Sequence, residues 1–130
     1  MKISVLLPYK ENFSKEYAGA VSLFVKDTTV NSKFSKNIFI FGNTSYKSTL
    51  LKNYNNIKLN NLFLQSKSKS YVENFIKHEV KFNSDIIEVH NRPNYIKLLK
   101  SYYTKAKKII LYYHNDPLSM NGSKSKKDRI

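Results

Sequence analysis

Two short apolar runs, each closed by the same polar tetrapeptide pattern, constrain this chain more than any other feature. Ile86-Ile87-Glu88-Val89 runs into His90-Asn91-Arg92-Pro93, and Ile109-Ile110-Leu111-Tyr112-Tyr113 runs into His114-Asn115-Asp116-Pro117. Between them Tyr95, Leu98, Leu99 and Tyr102 recur at helical spacing, and Pro93 falls in the first turn, where a missing backbone N–H costs nothing. A strand, an amphipathic helix and a second strand in this order predict a parallel β-α-β unit, because parallel neighbours need a crossover of about that length. Near-continuous apolar runs mark strands covered on both faces. The repeated His-Asn-x-Pro therefore predicts the same polar chemistry at two neighbouring strand ends.

The rest of the chain keeps the alternation. Residues 2–8 (KISVLLP) form a first buried strand, ended by Pro8, and residues 9–18 a polar loop. Val21, Phe24, Val25 and Thr28 predict an amphipathic helix over 18–31. Residues 37–41 (NIFIF) form a second strand closed by the turn pair Gly42-Asn43, and 56–60 a short third strand at an edge. Ser70 and Glu73 have the spacing of a capping box. Val72, Phe75, Ile76 and Val80 make the core face of a helix over 68–81. Strands at 85–90 and 108–113 flank a helix at 93–105. The sum predicts one α/β domain over residues 1–130, a Rossmann-like, doubly wound, mostly parallel sheet with helices on both faces.

The formal net charge is +14, but the basic residues are nearly all lysines, with only Arg92 and Arg129 as arginines. Asn, Ile, Tyr, Phe and Ser are also abundant and Gly is scarce, the set that AT-rich codons produce. The lysines are spread along the chain, with one dense cluster over 124–129. The charge thus reads as background, and nucleic acid is not an expected partner. What remains is attraction to an anionic membrane surface or to phosphorylated ligands. There is no cysteine, which excludes disulfides and thiolate metal sites and fits a reducing, cytoplasmic compartment. No apolar run reaches the roughly 18 to 20 residues of a membrane span. The N-terminus reads as a strand, with no signal-peptide cleavage site.

In an open parallel sheet, ligands bind outside the carboxyl ends of the strands. Right-handed crossovers bring the 9–19 loop, His90-Asn91-Arg92 and His114-Asn115-Asp116 to that one edge. His114 and His90 each read as an acid/base group or as a histidine that caps its strand. Arg92 reads as a phosphate or carboxylate clamp, or as a solvated residue at a helix start. Asp116, before Pro117, reads as the cap of a turn. Gly19 reads as a glycine that lets backbone amides approach a phosphate, or as a plain turn. His78 reads as a surface residue. The stretch GNTSYKS (42–48) fails as a P-loop, since Tyr46 stands where a glycine must precede Lys47-Ser48. Two converging histidines fall short of three metal ligands, so no metal is expected. Neither G-x-S-x-G nor G-x-G-x-x-G is present.

The segments KISVLLPY, EYAGAVSLFVKD, DIIEVHNRP and IILYYHNDP, in this order and spacing, resemble the N-terminal domain of GT-B fold, family-four-type glycosyltransferases over nearly the whole chain. The resemblance implies an N-terminal domain that binds the acceptor and a separate C-terminal domain that holds a nucleotide-sugar. It also implies transfer with retention and no metal cofactor. By position, Gly19 matches the loop glycine near the donor phosphates, with Ala18 and Ala20 where a second glycine is frequent. His114 matches the strand-five cleft histidine that supports transfer, and His90 a strand-four cleft residue. Asn91, Arg92, Asn115 and Asp116 are expected to line the substrate. No E-x7-E pair and no donor-binding half occur in these 130 residues. The expectation is a GT-B N-terminal domain incomplete at its C-terminus and inactive alone. Its acceptor would be a cell-surface glycan or a lipid-linked sugar at the inner membrane face. Two alternatives stay open: a basic α/β nucleic-acid-binding domain, and a non-catalytic sugar- or nucleotide-binding module.

Overall fold

Five parallel strands lie in the order β3-β2-β1-β4-β5. The computed structural model describes residues 1–59, 66–103 and 107–129. The strands are β1 (Ile3–Leu6), β2 (Ile38–Gly42), β3 (Tyr54–Asn56), β4 (Ile86–His90) and β5 (Lys108–Tyr112). The helices are α1 (Ala20–Val30), α2 (Lys67–Phe82), α3 (Pro93–Tyr102) and the short α4 (Lys126–Arg129). This is the Rossmann-like α/β fold expected from the alternation. Among the described residues, no helix is long and apolar enough to cross a membrane.

The two-residue period of the strands divides the core in two. Val5, Leu7, Ile38 and Ile40 point to one face, where Val25 of α1 joins them together with Phe13. Leu6, Phe41, Ile87 and Val89 point to the other, against Tyr71, Val72 and Phe75 of α2 and Tyr95 and Leu99 of α3. The chain leaves β1 over one face to reach β2 and comes back over the other to reach β4. The strand order therefore reverses between β1 and β4, and the crevice above that point is where such sheets bind ligands.

Several elements differ from their sequence reading, each for a local reason. Helix α2 is capped by Ser66, whose hydroxyl accepts the Lys69 N–H at 3.1 Å. Ser70, the expected cap, is buried one turn inside, so the Ser70–Glu73 spacing is not a capping box here. Val80 is 60 % exposed and Glu79 takes the buried position beside it. Tyr102 and Thr28 likewise face solvent, while Thr29 is buried. His78 is half-buried, its ring 6.0 Å from that of Phe41. The third strand lies at 54–56, at the expected edge; residue 60 of its expected range and residues 104–105 of the expected α3 range lie outside the described residues. Strand β5 is apolar in sequence yet alternates exposed and half-buried, because it lies at the edge of the sheet and no further strand flanks it among the described residues.

Glu79 anchors the edge of the sheet opposite the crevice. Its wholly buried carboxylate accepts from Ser4 Oγ at 2.5 Å, from Ser84 N–H at 2.8 Å, from Ser84 Oγ and from Lys107 Nζ at 2.9 Å. One side chain thereby ties α2 to the starts of β1, β4 and β5. Removing one partner of a buried ion pair leaves the other uncompensated. Glu79→Ala is expected to cost about 3 kcal/mol in urea unfolding. The double change Glu79→Leu with Lys107→Met should recover only part of that loss, because it removes the uncompensated lysine but leaves the buried Ser4 and Ser84 donors without their acceptor.

Candidate functional site

The crevice is shaped first by the loop after β1. Tyr71 Oη donates to Leu7 O at 2.7 Å, and the Tyr9 N–H donates to Tyr95 Oη at 3.0 Å. These two buried phenols hold the loop against α2 and α3. The chain then turns through Lys10, whose φ of 65° is left-handed, with the Glu11 N–H bonded to Pro8 O. That turn delivers Glu11 to the start of α1, where its Oε1 accepts the Ser22 N–H at 3.0 Å. A carboxylate is favoured there by unpaired amides and the helix dipole. Gly19 is what admits it, since a Cβ at that position would collide with the Glu11 carboxylate. The anion beside Gly19 at the start of α1 belongs to the chain itself.

The two strand ends pair like with like. His90 Nδ1 lies 2.9 Å from His114 Nε2, and Asn91 Nδ2 donates to Asn115 Oδ1 at 2.6 Å. Asn91 adopts φ 54°, a left-handed turn that asparagine tolerates. Its Oδ1 accepts the His114 N–H at 3.3 Å, and its own N–H donates to Tyr112 O. Both ends of the Asn91 side chain are therefore spent on holding the end of β5 in place. Asn115 is exposed beyond it.

A residue that sequence reasoning passed over extends this pair. Glu88 lies two positions before His90, hence on the same face of β4, and its Oε1 is 2.5 Å from His90 Nε2. Glu88, His90 and His114 form one hydrogen-bonded line. His90 is wholly buried, with the Tyr112 ring stacked on it at 5.4 Å and 17°. Phe24 of α1 sets its edge against His114, at 5.0 Å and 84°. The Glu88 side chain is 28 % exposed and, with Phe24 and Tyr112, lines a groove of about 230 Å³ between α1 and the sheet. The available signal was a lone carboxylate inside an apolar run, at the spacing that shares a strand face with the histidine.

The other expected residues sit apart from this line. Arg92 donates from Nη1 to Asn91 O at 2.7 Å and lines a different cavity, of about 280 Å³, with Ser68, Tyr95 and Met120. Asp116 Oδ1 accepts the Leu118 N–H at 3.0 Å and caps the single turn Pro117–Ser119. In the 42–48 stretch, Asn56 Oδ1 accepts the Thr44 N–H. Among the described residues no group of three His, Cys, Asp or Glu side chains is placed to hold a metal ion.

No family model, no curated protein and no solved structure matches this chain. The fold and the geometry of the crevice are the ground on which a function must be argued.

Burial and the neighbouring His90 hold the His114 imidazole below its ordinary value of 6.5, against the opposing pull of Glu11 and Glu88. His114 is therefore neutral at pH 7. The unfolded chain takes up this proton first, so stability rises with pH across the window from the folded midpoint up to about 6.5. His114's contribution is complete above that window and is lost as pH falls through it. Urea unfolding at a series of pH values should show the slope in the wild-type chain and a smaller one in His114→Phe.

Proposed function

We propose that this domain is the acceptor-side half of a glycosyltransferase that moves a sugar from a nucleotide-sugar to a glycan or lipid-linked acceptor. The observation that supports it most is convergence. The His90–His114 pair, the Asn91–Asn115 pair and the Gly19 loop meet at the carboxyl edge of a parallel sheet, beside its reversal point. A neutral imidazole at the mouth of such a crevice can accept a hydrogen bond from a sugar hydroxyl, which a protonated one cannot. In this reading His114 contacts the reacting sugar and His90 stands behind it. A donor phosphate at the start of α1 takes the place that Glu11 holds. The net charge of +14 favours phosphorylated ligands and an anionic membrane face.

The reading is tested on the 130-residue chain by amide NMR with uridine diphosphate glucose, guanosine diphosphate mannose and a short oligosaccharide. Shifts should centre on Gly19, His90, Asn91 and His114, and His114→Ala should weaken binding about fivefold, the worth of one hydrogen bond. Assays for sugar transfer by these residues alone should be negative. Measured turnover would sink the half-site reading. Silence at all four residues with every probe would sink the cleft assignment.

A further inference from the structure

Glu88 is a carboxylate placed in the middle of a strand and hydrogen-bonded to a fully buried histidine. We propose that Glu88 is a positioning residue for His114, acting through His90: it fixes the tautomers of both rings and leaves His114 Nδ1 as a bare acceptor at the crevice. This deepens the reading of His114 as the residue that meets the substrate and takes its functional meaning from it.

What each group can donate fixes the direction of the line. An ionised carboxylate only accepts, and a neutral imidazole carries one N–H. With Glu88 Oε1 at 2.5 Å from His90 Nε2, the His90 proton sits on Nε2. His90 Nδ1 is then an acceptor, and the 2.9 Å contact to His114 requires the N–H of His114 to be on Nε2. Its Nδ1 is left with a lone pair, and that atom has no hydrogen-bond partner among the described residues. The line therefore has a direction, set at its Glu88 end. Tyr112 stacked on His90 and Phe24 against both rings keep the imidazoles from turning to escape it.

The titratable groups facing His114 are Glu11 from the loop after β1, Glu88 and His90 from β4, and Tyr112 from β5, while α1 presents Phe24. Of these, Glu88 is the one that reaches His114 through a hydrogen-bonded ring. When His114 gains a proton at Nδ1, its Nε2–H still donates into His90, and the Glu88 charge at the far end stabilises the cation. Removing that charge makes protonation of His114 harder.

The test reads the rings directly, by long-range proton–nitrogen NMR of the histidine side chains in the whole chain. At mildly alkaline pH both His90 and His114 should be Nε2–H tautomers. In Glu88→Leu the single tautomer should be lost at both rings. His114 should also titrate at a lower pH than in the wild type, with His78 unchanged. Glu88→Gln keeps the side chain's length and should show the same downward shift of His114, which covers the case in which the leucine variant does not fold. A wild-type His114 protonated on Nδ1 overturns the proposal. So does a folded Glu88 variant whose His114 titrates as the wild type does. Ligand and turnover play no part, so this result and that of the sugar titration fail independently.

Discussion

Strand β1 must be covered on both faces, and the rest of the structure follows from that requirement. Its residues alternate between the two cores, with Ile3 and Val5 on the α1 side and Leu6 on the side of α2 and α3. A strand buried twice over needs parallel neighbours on both edges and crossovers on opposite faces. That is why β2 and β4 flank it, and why the strand order reverses at its edge. The crevice is a by-product of this packing. Covering both faces of one strand with opposite crossovers opens a gap between the loops that follow β1 and β4.

The crevice places groups in conditions that water would not give them. His90 is sealed under Tyr112 and Phe24, so both ring nitrogens must find partners in the protein. It finds them in Glu88 on its own strand and His114 on the next. At the opposite edge Glu79 is the counterpart, a buried carboxylate whose partners are all structural. The contrast separates two uses of a carboxylate. Glu79 ends in hydroxyls, an amide and a lysine, and so closes a network. Glu88 leads through His90 to His114, whose Nδ1 has no hydrogen-bond partner among the described residues, and so leaves a network open.

Much of the fold was legible because period and punctuation are local. The apolar run of β1 ended by Pro8, the NIFIF run ended at Gly42, and Pro93 at the head of α3 are each read within a few residues. The misread positions were those where a distant partner outweighed the local pattern. Ser70 and Glu73 have capping spacing, but the burial of Tyr71 and Val72 extends α2 back to Ser66. Val80 fits the helical period, but Glu79 takes the buried position to reach Ser4 and Lys107. β5 reads as buried, but its burial depends on a neighbour and a helix that β5 itself does not encode.

Spacing along the chain settles the alternation of strands and helices, the parallel sheet that alternation requires, and the presence of two His-Asn pairs at strand ends. Periodicity reports that spacing. It takes the folded chain to bring the two histidines into contact, to stand Glu88 behind them and to set Glu11 at the start of α1. These contacts depend on which strands are neighbours and which face each side chain takes, and a shift of one residue in the β4–β5 register would have sent His90 and His114 to opposite faces.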